Sequence, residues 1–218
     1  MRLSFIIAPT VKKVKSGDGT LPLREREKCF CLAENPFSPQ RIETCFPAVY
    51  NISVMKNVVL IGMPGSGKST CGVLAAKALC KDFVDTDLVI QQKEKMPLQA
   101  IIEQKGNEYF AAAEESAICS LAVANAVVAT GGSVVYSEGA MAHLKQNAVV
   151  IYLQISFATM LRRISDMSSR GILLRAGETL EAMFAERTPL YEKYADHVVV
   201  CDDKEIEKTV SEIVRNVL

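Results

Sequence analysis

The sequence has no excess of charge of either sign, because 25 lysines and arginines balance 25 aspartates and glutamates. Proteins that bind nucleic acids or anionic membrane surfaces normally carry a basic patch or tail, so we expect neither as a partner. The chain also lacks any run of the roughly 18 apolar residues that a membrane-spanning helix requires. These absences predict a soluble protein whose partners are small molecules.

Residues that bind metals through nitrogen or sulfur are few and scattered. The two histidines, His143 and His197, have no second ligand at a suitable spacing, so we expect neither to bind a metal or to act in catalysis. The cysteines are odd in number and show no zinc-site spacing: Cys29, Cys31, Cys45, Cys71, Cys80, Cys119 and Cys201. We interpret them as reduced thiols, which is typical of a cytoplasmic protein.

The character of the chain changes near Met55. Residues 1–54 contain scattered prolines and show no sustained helical or strand period. Their acidic residues fit a transit peptide poorly, so we predict a largely disordered leader or a mis-assigned N-terminal extension. Residues 55–218 are then expected to form a single domain that acts as a monomer.

From residue 55 onward, short apolar runs rich in β-branched residues alternate with longer helical stretches. We predict strands over 58–61, 83–84, 126–130, 148–153 and 197–201. Helices are predicted over 68–81, in two pieces around Pro97 across 88–105, over 107–124 and at the C-terminus from Ile206. This alternation predicts an α/β fold of three layers, with a five-stranded parallel sheet covered by helices on both faces.

A phosphate-binding motif directly follows the first predicted strand. The pattern G-x-x-x-x-G-K-[ST] is matched by Gly62, Met63, Pro64, Gly65, Ser66, Gly67, Lys68 and Ser69, with Thr70 in the first helical turn. The glycines let backbone N–H groups turn towards phosphate oxygens, and the helix N-terminus adds positive potential. Lys68 would reach the β- and γ-phosphates, and the Ser69 hydroxyl would supply a ligand to Mg²⁺. The motif predicts a P-loop fold that binds ATP and Mg²⁺.

Two carboxylates, Asp85 and Asp87, lie at the end of the second predicted strand. Open parallel sheets bind ligands at the carboxyl ends of their strands. An Asp-x-Asp pair alone is more often a surface turn. Downstream of a phosphate loop it favours one carboxylate for the metal and one for the acceptor. We therefore predict a kinase that phosphorylates a hydroxyl of a small molecule held near Asp87.

Several motifs in this order resemble the shikimate kinase family over essentially all of residues 55–218. The family's phosphate loop resembles residues 62–70, and its Asp-x-Asp resembles residues 85–87. Its glycine-rich strand end resembles residues 130–133, and its Arg-Thr-Pro-Leu-Tyr-type segment resembles residues 187–191. The resemblance implies ATP-dependent phosphorylation of shikimate to 3-phosphoshikimate in aromatic amino acid biosynthesis, by a fold with a mobile lid.

The resemblance also implies roles on the nucleotide side of the site. Lys68 would be catalytic together with Arg170, an ATP-contacting arginine at the start of the lid. Arg163 would lie by the adenine. Asp85 would help Ser69 to hold Mg²⁺.

On the acceptor side, the resemblance implies that Asp87 holds the acceptor hydroxyls and acts as the base. Gly131 and Gly132 would line the acceptor, with Gly132 offering a backbone N–H, and Arg187 would bind the carboxylate. The family's second carboxylate-binding arginine is Ala111 in this chain. An arginine–carboxylate contact is worth roughly 1.5–3 kcal/mol, so this departure leaves the identity of the acceptor open.

Two smaller departures accompany it: a lid proline is replaced by Gly171, and the third glycine of the strand-end motif by Ser133. Shikimate is the first expected acceptor. A gluconate-like sugar acid or a homoserine-like amino alcohol is the alternative that Ala111 favours. A nucleotide-binding regulatory protein with an inactive acceptor pocket is a third hypothesis, which the intact Asp87 and Arg187 disfavour.

Overall fold

A five-stranded parallel sheet forms the centre of the computed structural model, which describes residues 56–165 and 177–218. Its strands are β1 (Asn57–Ile61), β2 (Asp82–Asp85), β3 (Ala126–Ala129), β4 (Ala148–Gln154) and β5 (His197–Val200). The spatial order is β2-β3-β1-β4-β5, and every pairing is parallel. The predicted α/β class and the five predicted strands are confirmed.

Helices cover both faces of this sheet, as predicted. They are α1 (Lys68–Leu79), α2 (Thr86–Glu94), α3 (Leu98–Cys119), α4 (Glu138–Lys145), α5 (Phe157–Ser165), α6 (Leu180–Tyr194) and α7 (Ile206–Arg215), with a 3₁₀ helix at Val134–Tyr136. Helices α1 and α7 pack against each other, while α4 packs on α3 and on β4. Each helix that joins two parallel strands returns the chain to the amino ends of the strands.

The central strand β1 is buried on both faces, which explains its unbroken apolar sequence. Val58, Leu60 and Ile61 each have 0% of their surface exposed. At the start of the strand, the Asn57 side chain accepts a bond from the Ala126 N–H (3.0 Å) and donates one to the Val123 carbonyl (2.9 Å). The strand is therefore held firmly in register, and the loop that leaves its carboxyl end begins from a fixed point.

Two helix ends differ from the sequence expectation. Helix α1 stops at Leu79, because Cys80 adopts a left-handed conformation (φ 53°) and its N–H bonds back to the last turn. Helix α3 reaches only Cys119, where the Ser120 hydroxyl donates to the Ala117 carbonyl (2.8 Å). Inside α3, Gly106 (φ 83°, ψ 170°) interrupts the helix and redirects it, a conformation that favours glycine.

Two regions of the sequence prediction, the leader at 1–54 and the lid that begins at Arg170, lie outside the described residues. Within the described part, no helix is long and apolar enough to cross a membrane. The cysteines described there are free thiols: Cys71, Cys80, Cys119 and Cys201.

Removing residues 1–54, so that the chain starts at Met55, should leave a folded protein. Both edges of β1 are already occupied, by β3 on one side and β4 on the other, so the described sheet needs no further strand at its centre. We expect the truncated protein to unfold cooperatively at the same temperature as the full chain, measured by circular dichroism. An insoluble product, or a clearly lower midpoint, would show that the first 54 residues contribute to the core.

Candidate active site

The loop between β1 and α1 turns through three glycines with positive φ: Gly62 (146°), Gly65 (77°) and Gly67 (93°). A side chain at Gly62 would place its Cβ 2.6 Å from the Leu153 carbonyl oxygen, so only glycine fits there. Helix α1 begins immediately after the loop, and its first N–H groups have no partner within the helix. The loop and the helix N-terminus together form a concave site suited to phosphate groups.

Lys68 lies inside this loop, with 8% of its surface exposed. Its Nζ donates to the carbonyl oxygens of Gly62 (2.7 Å) and Met63 (2.9 Å), and it lies 3.4 Å from the Ser66 hydroxyl. The positive charge is therefore held at the loop that would surround the phosphates. An incoming phosphate can exchange these neutral acceptors for a charged one, which forms the stronger bond.

A cavity of about 380 Å³ adjoins the outer side of the loop. It is lined by Gly65, Ser66, Gly67, Thr70, Cys71, Arg163, Cys201, Lys204, Ile206 and Thr209. The Arg163 guanidinium donates to the carbonyls of Gly65 and Cys201, each at 3.1 Å, so it connects α5 to the phosphate loop. The structure thus brings Arg163 to the loop residues, at a cavity large enough for part of a nucleotide.

Sequence reasoning missed the C-terminal residues of this cavity, Lys204, Ile206 and Thr209. No motif marks them, and they arrive only because β5 lies beside β4, which places the start of α7 near α1.

The two residues predicted to hold a metal lie at the same edge of the sheet. Ser69 occupies the first turn of α1 and is half-buried, and Asp85 ends β2. One Asp85 carboxylate oxygen accepts the Asp87 N–H at 3.0 Å and so caps α2. Among the described residues, no three His, Cys, Asp or Glu side chains form a metal-binding cluster. Mg²⁺ in kinases uses few protein oxygens besides phosphates and water, so this hydroxyl and carboxylate fit it chemically.

On the acceptor side, the backbone at Gly131 passes between two carboxylates. A Cβ there would collide with Glu114 Oε1 and lie 3.1 Å from Asp87 Oδ1. The Gly131 N–H donates to the hydroxyl of Thr86 (3.2 Å), a fully buried residue that sequence reasoning also missed. Glycine is therefore required at this position by close packing, and Asp87 and Glu114 converge above it.

Glu114 is buried, with 4% of its surface exposed. Its Oε2 accepts a hydrogen bond from the Ser133 hydroxyl (2.7 Å), and its Oε1 has no hydrogen-bond partner among the described residues. The pKa of this carboxyl is raised to about 7: burial is the largest cause and the Asp87 charge adds to it, while the Ser133 hydrogen bond and the charges of Arg187 and Lys68 act in the opposite direction. Ser133, which replaces a glycine of the family motif, thus donates a hydrogen bond that offsets part of the free-energy cost of burying the Glu114 carboxyl.

Arg187 extends from α6 to the same place, with 2% of its surface exposed. Its Nε donates to the Tyr136 hydroxyl at 3.2 Å, and its guanidinium carbon lies 5.1 Å from the centre of the Tyr136 ring. Its Nη1 lies 3.2 Å from where a Cβ of Gly132 would be. The Gly132 carbonyl in turn accepts the Tyr191 hydroxyl at 2.6 Å.

A second cavity, of about 290 Å³, opens beside Arg187. Its lining residues come from α3, the 3₁₀ helix and the region of α6: Asn107, Glu108, Ala111, Tyr136, Glu178, Glu186 and Arg187. Ala111 and Arg187 therefore share one cavity, as the resemblance implies for the two arginine positions. Of the predicted site residues, Arg170 alone lies outside the described part of the chain.

Comparisons with known proteins agree with this geometry. A family model described as shikimate kinase matches residues 64–218. A shikimate kinase of Caldanaerobacter subterraneus is 35% identical over 164 residues, which are 74% of this chain and 95% of that protein. A shikimate kinase of Sulfurihydrogenibium is 36% identical over 165 residues, covering 75% of this chain and 96% of that protein.

Solved structures give the same result. The structure of shikimate kinase from Acinetobacter baumannii in complex with shikimate superimposes with a TM-score of 0.70 at 26% identity, covering 77% of this chain and 95% of that one. Shikimate kinase from Aquifex aeolicus matches with a TM-score of 0.63 at 33% identity, covering 73% of this chain and 94% of that one.

The raised pKa of Glu114 predicts a pH-dependent loss of stability. Between about pH 4.5 and pH 7 the unfolded carboxyl has lost its proton while the folded one retains it. The free energy of unfolding should therefore fall as the pH rises through this window, by roughly 3 kcal/mol at most. Glu114→Gln cannot ionise, so its melting temperature should rise relative to that of the unmodified protein between pH 5 and pH 7.

Thermal unfolding of the ligand-free proteins measures this difference. Glu115→Gln, which changes the exposed neighbour, is the matched control. If the melting temperatures of the Glu114→Gln and unmodified proteins change with pH in the same way between pH 5 and pH 7, the raised pKa of Glu114 is contradicted.

Proposed function

Because the chain belongs to the shikimate kinase family, we propose that it transfers the γ-phosphoryl group of ATP to a hydroxyl of shikimate, giving 3-phosphoshikimate. It is an ATP-dependent small-molecule kinase. The observation that carries the choice of acceptor is the position of Arg187, a buried guanidinium in the cavity next to Asp87, Glu114 and the phosphate loop. A small hydroxylated carboxylic acid fits such a site.

Each residue group has a separate task in this proposal. The loop N–H groups and Lys68 bind the phosphates of ATP and stabilise charge on the transferred group. Mg²⁺, held by Ser69 and Asp85, would neutralise charge on the β- and γ-phosphates. Arg163 contacts the nucleotide at the outer cavity. The resemblance also assigns Arg170 to contact with ATP.

On the acceptor side, Asp87 receives the proton of the attacking hydroxyl and orients it. Its Oδ1 lies 3.1 Å from where a Cβ of Gly131 would be, and Gly132, the next residue, offers its N–H to the acceptor. Arg187 binds the acceptor carboxylate and so determines which hydroxyl faces the ATP. Positioning of this kind supplies most of the catalysis in phosphoryl transfer.

One observation favours a second class of acceptor. With Ala111 in the lining, Arg187 is the one arginine that the described residues contribute to this cavity, which weakens the argument for a carboxylate held by two arginines. A gluconate-like sugar acid or a homoserine-like amino alcohol would use the same phosphate loop and the same Asp87. Coupled ADP release with shikimate, gluconate and homoserine separates these acceptors, and we propose that shikimate gives the highest kcat/KM. We also propose that the enzyme is a cytoplasmic monomer.

Lys68→Met should abolish phosphoryl transfer. The change removes the only charge that the structure places inside the loop among residues 62–70, while methionine retains a similar length. We expect kcat to fall by roughly three orders of magnitude, the scale seen when a charge-stabilising group is removed. Lys77→Met, on the same helix but away from the loop, is the control. Activity within tenfold of the unmodified enzyme would rule out the assigned role of Lys68.

Ala111→Arg should tighten shikimate binding if shikimate is the acceptor. The new guanidinium enters the cavity that contains Arg187 and lies one helical turn before Glu114, which can orient it. We expect the KM for shikimate to fall by roughly one to two decades, with a smaller change in kcat.

The matched control for that experiment is Ala112→Arg, an exposed neighbour outside the lining of the cavity. If neither the unmodified enzyme nor Ala111→Arg phosphorylates shikimate, another acceptor must replace it. The family membership and the ATP site would not be affected.

A further inference from the structure

Tyr136 contacts the acceptor-binding arginine in two ways. Its hydroxyl accepts a hydrogen bond from Arg187 Nε at 3.2 Å, and its ring lies under the guanidinium, 5.1 Å from the central carbon. A cation over an aromatic ring is attracted by the ring's quadrupole, and the hydrogen bond to the hydroxyl fixes the direction in which the Nε–H points. One residue therefore restrains both the plane and the rotation of the guanidinium.

This restraint determines which edge of Arg187 can meet an acceptor. Because the Nε–H donates to Tyr136, a carboxylate would be bound through the terminal nitrogens, which carry the other guanidinium N–H groups. The Arg187 side chain is also hydrogen-bonded to Tyr191. Nη1 already lies close to Gly132, the residue proposed to offer its N–H to the acceptor. The terminal nitrogens and the glycine-rich turn are thus held side by side.

The chain places Tyr136 by means of that same turn. Tyr136 is the last residue of the 3₁₀ helix that follows Gly132 and Ser133, and its N–H bonds to the Ser133 carbonyl at 3.0 Å. From the other side, the Tyr191 hydroxyl binds the Gly132 carbonyl at 2.6 Å. Movement of the turn would therefore move Tyr136 with it, which couples the position of the guanidinium to the position of Gly132.

We propose that Tyr136 is a positioning and specificity-determining residue of the acceptor site. It holds Arg187, the arginine that the described residues contribute to this cavity, so that its guanidinium can orient the acceptor carboxylate although the other arginine position is Ala111. The inference rests on the proposed function, because it concerns how the same carboxylate is bound. It assigns to Tyr136, which no motif marks, part of the orientation that a second guanidinium would otherwise supply.

Kinetics of Tyr136→Phe and Tyr136→Leu test this inference. The first removes the hydroxyl and keeps the ring, so it should preserve the fold, and the second removes both contacts. We expect Tyr136→Phe to raise the KM for shikimate roughly tenfold, the effect of losing one hydrogen bond to a charged group. The KM for ATP should stay within about twofold, since ATP is proposed to bind at the phosphate loop and Arg163, and Tyr136→Leu should raise the shikimate KM further.

A double-mutant cycle supplies the readout that a merely structural role would not change. If Tyr136 compensates for Ala111, the rise in shikimate KM caused by Tyr136→Phe should be smaller in an Ala111→Arg background, because the added arginine shares the task. Tyr109→Phe is the matched control, since Tyr109 has nearly the same exposure (42% against 38%) and its hydroxyl bonds to Glu94 outside this cavity.

Three results would overturn the inference. The first is an unchanged KM for shikimate in Tyr136→Leu. The second is a rise of the KM for ATP in Tyr136→Phe as large as the rise of the KM for shikimate. The third is an equal rise of the shikimate KM on Tyr136→Phe in the Ala111 and Ala111→Arg backgrounds. Each of these requires that the unmodified enzyme phosphorylates shikimate, so the proposed function would still hold. If the unmodified enzyme does not phosphorylate shikimate, the proposed function and this inference both fail.

Discussion

The parallel pairing of β1 with β3 and β4 is the constraint on which the rest of the structure depends. Parallel strands end at one edge of the sheet, so the loops after β1, β2 and β3 all begin there. Thr130 strengthens this edge, because both its N–H and its hydroxyl donate to the Leu60 carbonyl, at 3.2 and 3.0 Å. The phosphate loop, the Asp85–Asp87 segment and the Gly131–Gly132 turn are therefore adjacent without any direct sequence link between them.

Burial of charge is the second constraint, and it acts on the acceptor side. Lys68, Glu114 and Arg187 are all nearly inaccessible to water. Ionised groups are costly to bury unless they are paired or hydrogen-bonded, so each must be balanced by its neighbours. The raised pKa of Glu114 indicates that its neighbours offset the cost of burying its charge only in part. A cluster of this kind is typical of a functional site, where charge is placed for a substrate rather than for stability.

Two of the departures from the family motifs, Ala111 and Ser133, lie in the same part of the described structure. Ala111 removes a cation from the cavity of Arg187, and Ser133 adds a hydroxyl that bonds to Glu114, the carboxylate one turn beyond Ala111. Tyr136 adds a contact to Arg187. The acceptor side of this chain thus combines the family's phosphate loop with Ala111, Ser133 and Tyr136 near Arg187.

The sequence by itself determined the fold class, the five strands, the phosphate loop and the Asp85–Asp87 pair, because each depends on residues that are close together in the chain. An apolar strand followed by a glycine-rich loop, a lysine and a helix is typical of a phosphate-binding loop. The chemistry of such a loop follows from its backbone N–H groups and its lysine. The ends of α1 and α3 differ from the sequence prediction, since a left-handed Cys80 and a side-chain bond from Ser120 end these helices earlier than the periodicity predicts. Only the tertiary structure revealed Glu114 as a buried acid and Tyr136 as a partner of Arg187. It also revealed Lys204, Ile206 and Thr209 as part of the cavity beside the phosphate loop. Tyr136 and Arg187 are separated by 51 positions, and Ser133 and Glu114 by 19. Such contacts depend on which strands are neighbours and on how helices cross the sheet, and these features come from packing of the whole chain rather than from any local pattern.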